Sequence, residues 1–151
     1  MKQIFILVTV LITVFQSYAQ EYDEALAKEL GADERGMKSY VFVILKTGPI
    51  EIKDKPKLDS IFTGHMKNIG RMSDAGWLVS AGPIGKNERK YRGIYIFDVR
   101  TIEEAEKLVN TDPAVSSGVL AAEYYPWYAS AALPVHKKYH QKIQKKSITG
   151  N

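Results

Sequence analysis

A histidine lies on the predicted buried face of an amphipathic helix. Over residues 55–75 the apolar side chains recur at helical intervals, and His65 shares their face with Leu58, Ile61, Phe62, Ile69 and Met72. An imidazole held by a carboxylate can remove a proton from carbon or oxygen and return it near neutral pH. It can equally be a core histidine that a backbone carbonyl satisfies. The sequence therefore indicates a candidate acid–base group at His65 and leaves both roles open.

Asp112 is the second candidate, and it directly precedes Pro113. Aspartate at an N-cap with proline at the first helical position is a common way to begin a helix, and here it predicts a short one over residues 113–117. Capping alone accounts for this pattern. The same carboxylate could also orient an imidazole and stabilise the imidazolium form, and the two roles are compatible.

Further residues are candidates for a ligand pocket. Gly82 and Pro83 end a predicted strand, where glycine allows close approach of a ligand to the backbone, although a plain turn explains them equally well. Four more are chosen for their side-chain chemistry, and spatial proximity would decide their role: Ser80, Tyr91, Arg92 and Trp127. His136 and His140 could clamp a metal on a helix, but no acidic third ligand is near, so we predict no metal site.

The elements that must position these residues follow from hydrophobic periodicity, turn residues and capping signals. Strands are predicted over residues 39–46, 77–81, 93–99 and 119–128, and helices over 21–30, 55–75 and 101–110, the last beginning with a Thr101–Glu104 capping box. Pro126 indicates an edge strand or a bulge. From residue 39 onward the order is βαββαβ, which predicts an α+β, ferredoxin-like antiparallel sheet with two helices on one face.

Two of the strands are apolar on both sides. The first has Tyr40, Phe42 and Ile44 on one side and Val41, Val43 and Leu45 on the other, and the third sets Ile94 and Ile96 against Tyr95, Phe97 and Val99. Two helices cover only one face of such a sheet. Because an exposed apolar face of that extent usually marks an interface, we predict a homodimer packed sheet to sheet.

Composition and charge narrow the functional classes. The 151 residues are 45% hydrophobic and 25% charged, which is typical of one globular domain and excludes disordered and collagen-like chains. The absence of cysteine excludes disulfides, thiolate zinc sites, iron–sulfur clusters and a cysteine nucleophile. No phosphate-cradling glycine loop, dinucleotide fingerprint or serine-elbow motif is present, so we predict no cofactor.

The two ends of the chain differ from the middle. Lys2, an apolar run over residues 4–15 and the small-x-small site Ser17-Tyr18-Ala19 predict a secretory signal peptide cleaved after Ala19, rather than a membrane anchor, and hence a secreted or periplasmic protein. Residues 135–151 contain five lysines and no acid, whereas the rest of the mature chain has a net charge of −2. We expect a solvated basic tail without a nucleic-acid partner, because Tyr139 is its one aromatic residue. The predicted organisation is a signal peptide (1–19), an N-terminal extension (20–38), one domain (39–130) and a tail (131–151).

Several of these segments, in this order, resemble the YCII-related (YciI-like) family. The segments are Tyr40-Val41-Phe42-Val43, His65, the run from Gly76 to Pro83, and Asp112-Pro113-Ala114-Val115 with Gly118. The resemblance covers about residues 39–127. It implies a ferredoxin-like dimer of the dimeric α/β barrel group. It also implies an active site formed by a histidine on the first helix and an aspartate after the second, which correspond to His65 and Asp112.

Together these observations predict an exported dimeric protein. Its His65–Asp112 pair would carry out cofactor-free acid–base chemistry, of the lyase or isomerase type, on a small organic molecule bound in each subunit. The alternative is a non-catalytic module that binds a small ligand in the same pocket or at the dimer surface. A cofactor-independent oxygenase or a haem-handling relative is a third hypothesis, and it depends on analogy of fold alone.

Overall fold

The computed structural model describes residues 22–146, and its elements follow one another in the predicted order. The strands are β1 (Met37–Thr47), β2 (Leu78–Pro83), β3 (Tyr91–Phe97) and β4 (Leu120–Ser130). The helices are α1 (Glu24–Leu30), α2 (Lys55–Asp74), α3 (Ile102–Val109), α4 (Pro113–Ser116) and α5 (His136–Ile143). The predicted signal peptide lies outside the described residues.

The four strands form one antiparallel sheet in the order β2-β3-β1-β4. This is the ferredoxin-like arrangement, and the predicted α+β class is confirmed. The last strand, β4, lies at an edge of the sheet, as Pro126 indicates. Pro126 lies opposite Val41 in an unbroken register, so the proline occupies an edge strand without a bulge.

The core lies on the helix-covered face of the sheet. Alternate residues of β1 and β3 form the sheet side of this core: Val41, Val43, Leu45, Tyr95 and Phe97. Met72 of α2 and Ala105 and Val109 of α3 pack against them. The opposite face, called the open face below, carries the half-buried Phe42, Ile44, Ile94 and Ile96. Tyr40 is on the open-face side of β1 yet is only 1% exposed, and its hydroxyl donates to the Ser130 carbonyl at 2.9 Å.

The N-termini of four helices, α1 to α4, have side-chain caps. Asp54 begins α2, and its carboxylate accepts from the Lys57 N–H at 3.3 Å. Thr101 and Glu104 form the predicted reciprocal capping box of α3, and Asp112 caps α4. Because these caps satisfy backbone N–H groups that the helices leave unpaired, the chain leaves each loop in a defined direction.

The chain after β4 is more ordered than the predicted solvated tail. Leu133–Val135 form a 3₁₀ turn, and α5 follows directly. Lys137 holds α5 to the body, because its ammonium donates to the Ser73 carbonyl at the end of α2 and lies 3.6 Å from Asp74. Within residues 22–146, no helix is both long enough and apolar enough to span a membrane.

Candidate functional site

His65, Asp112 and Tyr95 meet between α2, the start of α4 and β3. The imidazole Nδ1 of His65 lies 2.7 Å from Asp112 Oδ2, and the Tyr95 hydroxyl donates to the same oxygen at 2.7 Å. The Tyr95 hydroxyl is 3.3 Å from His65 Nδ1, and the two rings stack with their centroids 6.2 Å apart. The three side chains therefore form one compact hydrogen-bonded group.

The two carboxylate oxygens of Asp112 have separate partners. Oδ1 accepts from the Ala114 N–H at 2.9 Å and caps α4, whereas Oδ2 accepts the contacts from His65 and Tyr95. Asp112 is fully buried. Burial alone would raise the pKa of Asp112, but the hydrogen bonds from His65 and Tyr95, the charge of His65 and the Ala114 N–H together hold that pKa below its ordinary value. The carboxylate is therefore ionised at neutral pH.

The protonation of the group follows from its donors and acceptors. An ionised carboxylate only accepts hydrogen bonds, so the proton of the neutral imidazole lies on Nδ1 and the lone pair on Nε2. Nε2 has no hydrogen-bonding partner among residues 22–146, and no buried side-chain nitrogen or oxygen there lacks one. Nε2 is therefore not fully buried, and the His65 side chain as a whole is 12% exposed.

Tyr95 is a site residue that the sequence pattern did not identify. The alternation of β3 places it correctly on the face that carries Phe97, but only as an apolar position. Burial, followed by the charge and hydrogen bond of Asp112, raises the pKa of the Tyr95 hydroxyl far above its ordinary value, so the hydroxyl stays neutral and donates. The sequence does offer one signal, which is a tyrosine among the apolar residues of a buried strand face. Its buried hydroxyl needs a hydrogen-bond acceptor nearby.

Close packing of α2 against α4 brings the pair together. A Cβ atom at Gly64 would lie 3.0 Å from Pro113 Cγ, so glycine lets the two helices approach at the residue next to His65. One turn further along α2, Asn68 Oδ1 accepts from the Arg71 guanidinium at 2.8 Å and from the Thr111 hydroxyl at 3.2 Å. These bonds connect α2 to the residue before Asp112 and fix the position of the aspartate.

The structure does not gather the six predicted pocket residues around His65. Ser80 and Gly82 lie opposite Ile96 and Ile94, and Trp127 lies opposite Tyr40, so all three are on the open face. The physical reason in β2 is a register shift between Leu78 and Ser80, which turns the following side chains to the other face. Trp127 is on β4 at the far edge of the sheet. Pro83, Tyr91 and Arg92 lie where β2 and β3 meet their connecting loop.

Two concave regions in residues 22–146 lie elsewhere, and neither has His65 in its wall. A pocket beside His65 stays a prediction. A crevice of about 400 Å³ has Trp77, Arg100, Lys107 and Leu108 in its wall, and one of about 350 Å³ has Gly31, Lys38 and Ser39. Asp98 and Arg100 belong to both. Within the same residues, no group of three His, Asp or Glu side chains is placed to hold a metal ion.

Similarity to known proteins is found among solved structures. No family model matches the chain, and no curated protein matches it. The chain is similar to the 5-chloro-2-hydroxyhydroquinone dehydrochlorinase of Burkholderia phenoliruptrix AC1100, solved in complex with 2,5-dihydroxybenzoquinone. The identity is 16% and the TM-score is 0.42, and the match covers 58% of this chain and 92% of the other. Membership of the YCII-related family stays a prediction.

Proposed function

We propose that this protein is a cofactor-free acid–base enzyme of the lyase or isomerase type that acts on a small organic molecule. His65 is the proposed proton-transferring group and Asp112 its positioning residue. One observation carries the proposal: the buried, ionised Asp112 holds His65 Nδ1 at 2.7 Å, while Nε2 makes no hydrogen bond within residues 22–146 and is not fully buried. This arrangement leaves the basic lone pair of Nε2 free of a protein donor within those residues.

The role of Asp112 is to fix the tautomer of the base and to stabilise its charged form. A substrate C–H or O–H would lose its proton to Nε2, and the resulting imidazolium would lie against the carboxylate. Tyr95 fixes the orientation of Asp112 Oδ2, because its neutral hydroxyl donates to the same oxygen that contacts the imidazole. The proton returned from Nε2 to another carbon of the substrate would complete an isomerisation. In an elimination, the electron pair left by the C–H bond would form a double bond as the bond to the leaving group breaks, and Nε2 would give the proton to the departing group.

Capping alone does not explain the site. A cap requires one oxygen of Asp112, and Oδ1 supplies it. The second oxygen has two further donors in a buried setting. Such an arrangement is typical of a carboxylate that orients a catalytic histidine, and it supports the proposal over a purely structural aspartate.

Deuterium uptake tests the proposal across many compounds at once, so the substrate need not be identified first. A library of carbon acids is incubated with the protein in D₂O, and mass spectrometry records deuterium exchange into each compound. We expect at least one compound to exchange, and His65→Gln to exchange it about 100-fold more slowly, since a positioned base contributes at least that factor. Unchanged exchange by the variant would refute the proposal. If the parent protein binds a compound of the library without exchanging it, and His65→Gln loses that binding, the result would support the non-catalytic binding module instead.

The chain supplies a matched control for the aspartate. Asp54→Asn alters an exposed N-cap far from His65, whereas Asp112→Asn keeps the cap oxygen but places an NH₂ donor beside Nδ1. The amide should switch the imidazole to the Nε2–H tautomer, which cannot accept a substrate proton. We expect ¹⁵N NMR of the ring to report this switch in Asp112→Asn, and the Asp54→Asn spectrum to match that of the parent protein.

We also propose that the protein is an exported homodimer. The open face supports an interface, because it carries four half-buried apolar side chains together with Tyr125 and Trp127, which are 45% and 37% exposed. Sedimentation of the chain from Gln20 at micromolar concentration tests assembly, and a stable monomer would contradict it.

The proposal of export depends on the sequence of residues 1–19, and mass spectrometry of native protein tests it. We expect Gln20 as the first residue, and an intact Lys2 would contradict the proposal.

A further inference from the structure

Helix α5 and the residues just after it concentrate positive charge. Residues 135–146 contain Lys137, Lys138, Lys142, Lys145 and Lys146 and no aspartate or glutamate. Lys138 and Lys142 are exposed and lie four residues apart, on the same side of the helix. Like charges at this spacing repel one another. A negatively charged partner would therefore stabilise this segment.

The same helix has an uncovered face on which two of the four side chains, Tyr139 and Ile143, are apolar. His136, Tyr139, His140 and Ile143 recur at the i, i+3, i+4, i+7 spacing of one helical face. Tyr139 is 57% exposed and Ile143 is 80% exposed. Folding has therefore left two large apolar side chains in solvent beside a row of lysines.

The contact between α5 and the end of α2 determines which side of α5 faces solvent. Lys137 is occupied by Ser73 and Asp74 at the end of α2. Lys137 is two residues from Tyr139, and residues at that spacing point to different sides of a helix. The contact that docks α5 thus leaves the face with Tyr139 and Ile143 directed outward, with Lys138 and Lys142 beside it.

We propose that α5 is a docking helix for an anionic lipid surface. Tyrosine and isoleucine would enter the boundary between headgroups and acyl chains, while the flanking lysines contact the lipid phosphates. A nucleic-acid partner fits less well, because single strands are held by several stacked aromatic side chains and this segment offers Tyr139 alone. The proposal does not depend on the acid–base function.

Vesicle binding tests this proposal. The protein from Gln20 onward is used, because an apolar segment at residues 4–15 would partition into lipid by itself. Its binding to phosphatidylcholine vesicles is compared with binding to vesicles in which about one lipid in three is phosphatidylglycerol. We expect binding to the anionic vesicles only, and a decrease as salt is raised.

Two double variants and one control separate the contributions. Lys138→Gln with Lys142→Gln should weaken binding about 30-fold, since each lysine near an anionic surface contributes about fivefold. Tyr139→Ser with Ile143→Ser should weaken it about tenfold through lost apolar contact. Lys57→Gln with Lys86→Gln removes the same charge from exposed sites elsewhere and should leave binding within about twofold.

Each other outcome overturns the proposal. Equal binding to neutral and anionic vesicles, no binding to either, or an equal loss in the Lys57/Lys86 control would exclude a specific anionic-lipid site on α5. Lysine-dependent binding that is unaffected by the Tyr139/Ile143 variant, and that a DNA oligonucleotide competes away, would identify a general polyanion site instead. Because all six substituted side chains are exposed or lie at the edge of the fold, far-ultraviolet circular dichroism should show an unchanged fold.

Discussion

Asp54 and Asp112 cap helices that both carry a proline in the first turn, yet their surroundings differ. Asp54 is exposed, and its carboxylate accepts one bond of 3.3 Å from the backbone of α2. Asp112 is fully buried and accepts from Ala114, His65 and Tyr95. The two caps have the same local sequence signal. The difference shows that tertiary placement, rather than the capping pattern, determines whether an aspartate can also act on a histidine.

The largest expected effect comes from removing each carboxylate. Asp112→Ala should lower the free energy of unfolding by about 4 kcal/mol, because it leaves the buried Tyr95 hydroxyl, the Ala114 N–H and His65 Nδ1 without their acceptor. Asp54→Ala should cost about 1 kcal/mol, the usual cost of losing an exposed N-cap. Urea unfolding of both variants measures the difference. Equal losses would mean that Asp112 acts as a cap alone.

Replacement by asparagine preserves both caps and isolates the second carboxylate oxygen. Asp112→Asn should cost about 2 kcal/mol at neutral pH, because an amide cannot take the place of an ionised acceptor for His65 and Tyr95. Asp54→Asn should stay within about 0.5 kcal/mol of the parent protein, since Asn and Asp cap helices equally well.

Acidic pH should reduce the difference in the free energy of unfolding between Asp112→Asn and the parent protein. The folded-state pKa of Asp112 is lowered, so its ionised form contributes stability that is fully present above its unfolded pKa of about 3.9 and is lost as the pH falls through the folded value. Unfolding measured from pH 7 downward should therefore show the gap narrowing below about pH 4. A gap that is constant with pH would indicate that the loss does not come from the carboxylate charge.

A third comparison uses two buried tyrosines. Tyr95→Phe and Tyr40→Phe each remove one hydroxyl that donates a bond, to Asp112 in the first case and to the Ser130 carbonyl in the second. Each should cost about 1 kcal/mol of stability. Tyr95→Phe alone should also slow any deuterium exchange and shift its pH profile, because it frees one side of Asp112 Oδ2. The same exchange defect in Tyr40→Phe would point to a global effect on folding.

The sequence predicted the elements more completely than the site. The observed helix Lys55–Asp74 matches the predicted 55–75, because Pro56 near its start and Gly76 after its end are strong local signals. The capping box of α3 is confirmed for the same reason. Both depend on neighbours a few residues apart, which a sequence displays directly.

The parts of the site that the sequence does not reveal depend on contacts distant in the chain. Tyr95 meets an acceptor on the loop before α4, and no local pattern indicates that partner. Simple alternation from the buried Leu78 would place Ser80 and Gly82 on the helix-covered face, but the irregularity in β2 reverses them. The expected pairing of His65 with Asp112 depends on a family resemblance rather than on spacing. A single extra residue in a strand is enough to turn the following side chains to the opposite face of the sheet.

A small change in stability is also expected from Gly64→Ala, which tests how closely the site depends on the approach of α2 to α4. Alanine is favoured over glycine inside a helix by about 1 kcal/mol. The new Cβ would lie 3.0 Å from Pro113 Cγ, so α4 must shift by a few tenths of an ångström and offset part of that gain. We therefore expect stability within about 1 kcal/mol of the parent protein, as measured by urea unfolding. Because Asp112 caps α4, the same shift should lengthen the contact to His65 Nδ1 and slow deuterium exchange by several-fold, about tenfold at most. Ser60→Ala, at an exposed position of the same helix, is the matched control and should leave exchange unchanged. If Gly64→Ala retained full exchange, the His65–Asp112 pair would tolerate movement, and the precise packing of α2 on α4 would matter for the fold but not for the chemistry.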